Sequence, residues 1–286
     1  MGERITGKTQ LTGLLGTPVS HSISPIMHNE SFAKLGLDFA YLAFNVGNEG
    51  VKSAVEGLRT LNARGFNVTM PNKTVICQYL DKLSPAAELA GAVNTVVNDN
   101  GVLTGHITDG TGYMRSLKEA GIDIIGKKMT IVGAGGAATA IEIQAALDGV
   151  KEISIFNIKD EFFERAKKTV QDINEKTNCK ATLFDLEDKE TLRREIANSA
   201  ILTNATGIGM KPYEGQTYVE KSMLRSDLIV SDVIYNPEKT TLLEMAEEIG
   251  CTTINGLGML LWQGARAFEI WTGKEMPVDY IKKILF

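Results

Sequence analysis

Apolar and polar positions run along this chain in blocks, and the period changes from block to block. "LTGLLG", "FAYLAFNV" and "GFNVT" are short apolar runs, whereas "SPIMHNESFAKLG" and "VKSAVEGLRTLNARG" space their apolar residues as one face of a helix. Strand-like and helix-like segments taken in turn predict an α/β fold with a parallel or mostly parallel sheet. The texture then shifts. "AVNTVVNDNGVLTGH" sets two β-branched runs around Asn98-Asp99-Asn100-Gly101, which is hairpin chemistry and predicts the edge of a first sheet. A helix opened by Asp109 follows, and "KKMTIVGAGGAATAIEIQAAL" begins a fresh strand, turn and helix, so a first domain is expected over 1–108. No internal repeat interrupts this order.

Length and composition agree with two domains. A chain of 286 residues is long for one core, and 43% hydrophobic with 23% charged residues is ordinary for a globular protein. The formal charge of -5 with no basic stripe argues against nucleic acid as a partner. Cys77, Cys179 and Cys251 are far apart and form no C-x-x-C pair, so they read as reduced, buried filler. No apolar run reaches the ~20 residues of a membrane span, and "MGERITGKTQ" lacks an apolar signal core, so no membrane association and a cytoplasmic location are expected.

Three stretches carry candidate chemistry. Gly133, Ala134, Gly135, Gly136 and Ala137 open a G-x-G-x-x-[G/A] turn between the apolar strand "MTIVG" and an alanine-rich helix, with "KEISIFN" at the distance of the next parallel strand. That context predicts dinucleotide binding, the pyrophosphate meeting backbone N–H groups at a helix N-terminus. In "GTPVSHSISPIMHN", Ser24 and Pro25 make a good helix start, but capping leaves Ser22 unused. Two hydroxyls beside a helix N-terminus would also suit a carboxylate, and both readings stand. Lys73 falls in the first turn of an expected helix "PNKTVICQYLDKL", where the helix dipole disfavours a cation. It reads either as a solvated surface charge or as a group that moves a proton, with Asp109 as its partner. Asp109 has its own plain reading as a helix N-cap, and Asn94 as a turn residue.

Taken jointly, "HSISP", "NVTMPNK", "GAVNT", "TDGTG", "GAGGAA", "NATGIGM", "YNP" and "NGLGMLLWQGA" resemble the shikimate dehydrogenase family in order and spacing, and "DEFFERA" and "WTGK" are similar to its quinate/shikimate dehydrogenase branch. The resemblance implies an amino-terminal α/β substrate domain (1–108), completed by 255–286, whose helices return to it, and a Rossmann domain over 109–254. It implies reversible hydride transfer between a nicotinamide and shikimate or 3-dehydroshikimate, with quinate as a further substrate. Ser22 and Ser24 would hold the substrate carboxylate, Tyr41 and Gln263 would add contacts, and Thr69, Lys73, Asn94 and Asp109 would surround the ring hydroxyls. Lys73 and Asp109 would be catalytic. Gly133 to Ala137 would cradle the pyrophosphate, Asn157, Lys159 and Asp160 would meet the adenosine ribose, and Thr206, Val233, Tyr235 and Gly256 would line the nicotinamide half. The resemblance allows a homodimer and calls for no metal.

The chain departs from its relatives at two places. Ile107 stands where many members carry asparagine, and Ile158 stands where members using NADP carry arginine. An isoleucine cannot neutralise a 2′-phosphate, whereas Asp160 can accept from free ribose hydroxyls, so NAD is expected to be preferred, with Lys159 leaving NADP usable. His21, His28 and His106 are assigned no catalytic role. A non-catalytic sensor of the same fold is the alternative, but it need not keep Lys73 and Asp109. A dehydrogenase of the methylene-tetrahydrofolate type leaves the paired serines unexplained.

Overall fold

The computed structural model describes residues 5–286, so Met1–Arg4 of the stretch read for a signal segment lie outside the described residues. The chain packs as two units, one comprising the chain up to Thr108 with Gln263–Phe286, the other Asp109–Trp262.

In the first unit, β1 (Gln10–Gly16) buries its last five residues, as a strand covered on both faces must. It is followed by α1 (Ser24–Lys34), β2 (Phe39–Asn45), α2 (Val51–Thr60), β3 (Gly65–Val68), β4 (Lys82–Leu83), α3 (Pro85–Ala90), β5 (Thr95–Asp99) and β6 (Val102–His106). Helix α2 buries Val51, Val55 and Leu58, one stripe at helical spacing. The sheet runs β2-β1-β3-β5-β6-β4; β2, β1 and β3 are parallel, and β5 and β6 form the expected antiparallel hairpin. Asn100 (φ 54°) and Gly101 (φ 92°) make its turn, and the Asn98 side chain accepts the Gly101 amide at 2.7 Å.

Two expectations are corrected here. The hairpin is not the sheet edge, because β4 pairs outside β6. Two residues leave no periodic trace in a sequence, and β4 is held instead by Asp81, whose carboxylate accepts the Leu103 amide at 2.7 Å. The expected helix from Pro71 does not form either. Residues 71–74 are turns, and only Val75–Tyr79 coil, as a 3₁₀ helix, before Leu80 turns extended to feed β4. The dipole argument for Lys73 therefore lapses.

The second unit contains α4 (Asp109–Glu119), β7 (Lys128–Val132), α5 (Gly136–Asp148), β8 (Glu152–Asn157), α6 (Glu161–Lys176), β9 (Lys180–Asp185), α7 (Lys189–Ala197), β10 (Ile201–Asn204), β11 (Ile229–Asp232), α8 (Thr241–Ile249) and β12 (Thr252–Ile254). Its strands are all parallel in the order β12-β11-β10-β7-β8-β9, a doubly wound Rossmann-like sheet. Helices α9 (Leu257–Thr272) and α10 (Val278–Leu285) end the chain, and the division of the two units falls inside α9, after Trp262. The later part of α9 belongs to the first unit's core. There the Trp271 indole donates to the Val96 carbonyl at 2.9 Å, and Phe268 stacks on Phe32.

Among the described residues, no helix is long and apolar enough to cross a membrane, and no three His, Cys, Asp or Glu cluster as metal ligands. The cysteines carry free thiols. Cys179 and Cys251 are buried, but Cys77 is half-buried rather than buried, because it lies on the short 3₁₀ helix.

Candidate active site

The first unit gathers polar side chains from positions that an apolar strand would otherwise fill. Tyr41, on β2, is fully buried, and its hydroxyl donates to the Asn67 side chain at 2.8 Å. Asn67, on β3, passes the chain on, donating to the Asn94 carbonyl at 3.1 Å and to the Thr95 hydroxyl at 3.0 Å. Asn94 is then fixed by Thr108, donating to its hydroxyl at 3.0 Å and accepting its amide at 2.8 Å. Every member is buried, and every one has a partner, the condition under which a buried polar network rigidifies a fold. Asn94 is thus no solvated turn residue. Burial also pushes the Tyr41 phenol well above its usual range, against a hydrogen bond from Ser24.

Lys73 hangs on this chain through its backbone. Its carbonyl accepts the Val93 amide at 2.8 Å, which seats the lysine turn beside Asn94, and buried Asn72 pins the turn from the other side by donating to the Val46 carbonyl at 2.8 Å. The Thr69 amide donates to Leu15 at 2.9 Å, and its methyl group lies against Gly16, where an added Cβ would come within 2.2 Å.

The paired serines differ from expectation. Ile23, in helical conformation, takes the N-cap position of α1 without a side-chain cap, so Ser24 is the first helical residue and not the cap. Its hydroxyl serves Tyr41 instead. The Ser22 hydroxyl accepts the Ser24 amide at 3.3 Å, and both serines are half-buried. Gln263 is half-buried on α9. Of the histidines, His21 is exposed and His106 half-buried. His28 is fully buried, its ring stacked on Tyr41 with centroids 4.6 Å apart, and burial drives it down to about 3. Ile107 is buried as well.

The second unit builds with backbone. Gly133 follows β7 directly with φ +114°, and a Cβ there would come within 2.7 Å of the Ala205 carbonyl. The turn therefore packs against the loop after β10, at the point where the strand order reverses. A Cβ added at Gly135 or Gly136 would meet nothing within 4 Å, and Gly135 caps α5 without any side-chain hydrogen bond. Helix N–H groups with open space before them fit a dinucleotide pyrophosphate. Ala134 is buried and Ala137 half-buried in the same turn. Asp109 is buried as the first residue of α4.

After β8 the loop is more tied than the sequence suggests. Asp160 is the N-cap of α6, accepting the Phe162 and Phe163 amides at 3.0 and 3.1 Å and the Asn157 side chain at 2.8 Å. Lys159 pairs with Asp185 at 2.7 Å, and Ile158 is exposed. Thr206 and Val233 are half-buried, Tyr235 is exposed and Gly256 is buried.

Sequence reasoning missed Asn67, Asn72 and Thr95. For Asn67 and Thr95 the signal was available as polar residues inside otherwise apolar strand patterns, "GFNVT" and "NTVV"; Asn72, in the turn at 71–74, carries no such pattern.

An all-parallel sheet with a glycine turn at its switch point, joined in one chain to a mixed α/β unit, defines a two-domain α/β protein of the Rossmann-like class. The family model for the shikimate dehydrogenase substrate binding domain matches residues 14–96, and that for the shikimate 5'-dehydrogenase C-terminal domain matches 256–286. The chain is 74% identical to the shikimate dehydrogenase (NADP(+)) of Listeria innocua over 285 residues, 99% of this chain and 98% of that one. The crystal structure of shikimate 5-dehydrogenase from Listeria monocytogenes in complex with shikimate and NAD is 73% identical, with a TM-score of 0.98 over 100% of this chain and 99% of that one. The quinate dehydrogenase of Corynebacterium glutamicum in complex with NAD is 30% identical, with a TM-score of 0.86 over 96% and 98%. This chain belongs to the shikimate dehydrogenase family.

Proposed function

We propose that this protein interconverts shikimate and 3-dehydroshikimate by hydride transfer, the first unit holding the substrate and the second the nicotinamide cofactor. The observation that carries this reading is the seating of Lys73 beside Asn94, at the end of a buried chain of neutral hydrogen bonds. Ser22 and Ser24 bind the substrate carboxylate with hydroxyl donors, while Tyr41, Thr69, Asn94 and Gln263 orient the ring. Lys73 accepts the proton of the hydroxyl group as that carbon is oxidised, and its ammonium returns the proton to the carbonyl oxygen in reduction. Asp109 is the second catalytic residue. NAD(P), when bound, supplies the hydride acceptor or donor at its nicotinamide ring. The test is Lys73→Met: kcat should fall by about 10²–10⁴-fold with cofactor affinity unchanged, and turnover within tenfold of wild type would remove the assignment.

Cofactor choice follows from the loop after β8. The L. innocua relative is named for NADP(+), and the L. monocytogenes structure holds NAD. In this chain Ile158 offers no charge, the cation of Lys159 is engaged by Asp185, and Asp160 is fixed in place by its three hydrogen bonds. A 2′-phosphate would meet one fixed carboxylate and one lysine already paired with Asp185, so NAD is preferred by kcat/KM and NADP is used less well. Quinate is a second substrate, a reading supported by the likeness to a quinate dehydrogenase.

A further inference from the structure

Asp232 closes β11 in register with Asn204 at the end of β10, and only 1% of it is exposed. Four hydrogen bonds converge on its carboxylate, and all four come from neutral donors. The Asn204 amide reaches both oxygens at 3.1 Å, the Ile234 amide donates to Oδ1 at 3.0 Å, and the Thr240 hydroxyl donates to Oδ2 at 2.8 Å. Burial pushes this carboxyl up and those hydrogen bonds pull it back. A buried carboxylate is a costly way to join two strands, and a neutral amide would be the cheaper one. A carboxylate differs in presenting acceptor oxygens on both sides at once, whereas an amide has one acceptor and one donor end.

What those two oxygens reach explains the choice. Through Asn204, Asp232 governs the loop after β10: the side-chain Oδ1 of Asn204 accepts the Thr206 hydroxyl at 2.7 Å and the Thr206 backbone amide at 3.2 Å, and the Thr206 hydroxyl accepts the Ile208 amide at 3.0 Å. Through the Ile234 amide it governs the loop after β11. That loop is so tightly drawn that the Gly256 amide donates to the Ile234 carbonyl at 3.0 Å, and a Cβ on Gly256 would lie 2.0 Å from the Val233 carbonyl. Through Thr240, which accepts the Leu243 amide, it fixes the start of α8. The two loops carry Thr206, Val233 and Tyr235.

The geometry points to Asp232 as a positioning residue that sets the two loops against which the nicotinamide half of the cofactor rests. This rests on the cofactor site proposed above. Asp232 touches no substrate or cofactor atom in this role; it acts through Asn204, Thr240 and the Ile234 amide.

The test separates the two halves of the cofactor. Asp232→Asn keeps the side-chain shape but replaces one acceptor oxygen with an NH₂, which the Thr240 hydroxyl can accept and the Asn204 NH₂ cannot, so Asn204 keeps only one of its two oxygens and the loop after β10 is loosened. NAD⁺ affinity, measured by calorimetry, should fall about tenfold, the scale of one lost charge-assisted hydrogen bond, while ADP-ribose, which lacks the nicotinamide, binds within about twofold of wild type. Thr240→Val should shift the same ratio by less and Thr240→Ser should restore it, which keeps the test open if Asp232→Asn does not fold. Parallel weakening of both ligands, or no weakening of NAD⁺, overturns the inference. Failure of the wild-type protein to bind ADP-ribose would instead remove the cofactor site, and the inference with it.

Discussion

The two units place buried polar atoms by opposite means. In the first, Tyr41, Asn67, Thr95, Asn94 and Thr108 bond to one another, and no member of that chain is ionised at neutral pH. In the second, the glycine turn contributes backbone alone, and Asp232, a buried side-chain hub, is an acid. A neutral chain holds its geometry without regard to pH but fails as a whole when one member is lost. A backbone turn has no side chain to lose, so only a change in the chain's path can damage it.

The largest effect should come from cutting the neutral chain at its hub. Asn67→Leu removes the acceptor of the Tyr41 hydroxyl and the donor to Thr95 and to the Asn94 carbonyl at once, and should cost about 3 kcal/mol in urea unfolding, with ADP-ribose binding intact in the protein that remains folded. A loss below about 1 kcal/mol would mean that the chain is not cooperative.

The complementary break in the second unit is Gly133→Ala. With φ at +114° and the Ala205 carbonyl 2.7 Å from the new Cβ, the turn must move, at a cost of about 1–3 kcal/mol and with loss of NAD⁺ affinity. Unchanged NAD⁺ affinity would show that the turn does not carry the pyrophosphate.

A third experiment uses pH. His28 is neutral in the fold, with its value driven to about 3, and takes a proton in the unfolded chain below about 6.5. Between those limits the unfolded state binds the extra proton, so stability falls as the solution is acidified, by about 1.4 kcal/mol per pH unit for this one group. In His28→Phe the slope of stability against pH between about pH 6 and pH 4 should be lower than wild type by about that amount. Equal slopes would mean that His28 opens to water in the folded protein.

The smallest effect concerns cofactor choice. Asp185→Asn frees Lys159 from its 2.7 Å pair and should move the ratio of kcat/KM for NADP to that for NAD upward by about threefold, as expected of an exposed ion pair. The same substitution made in Lys159→Ala should then have no effect on the ratio. A shift that survives there would implicate Asp185 itself.

Much of this was legible in the chain before any fold was known. Alternation of strand and helix patterns, the Asn98–Gly101 turn, the glycine turn after β7 and the serine and lysine motifs are local, because backbone conformation and period are set by a few neighbouring residues. The start of α1 lies one position earlier than the Ser-Pro pair suggests, and no helix follows Pro71, since the Ser24 hydroxyl is drawn to Tyr41 and the two-residue β4 is held by its pairing with β6 and by the Asp81–Leu103 bond.

Only the tertiary structure decided how the polar residues are spent. Asn67 and Asp232 look alike in the sequence, each a polar residue in an apolar strand, yet one joins a neutral chain and the other anchors two loops. Asp160 reads as a ribose contact, and in the fold its Oδ1 is taken up by the start of α6. Lys159 reads as a free charge and is paired with Asp185, a strand away. A hydrogen bond or ion pair between strands depends on register and on which groups share a buried space, and neither quantity is written in any short stretch of residues.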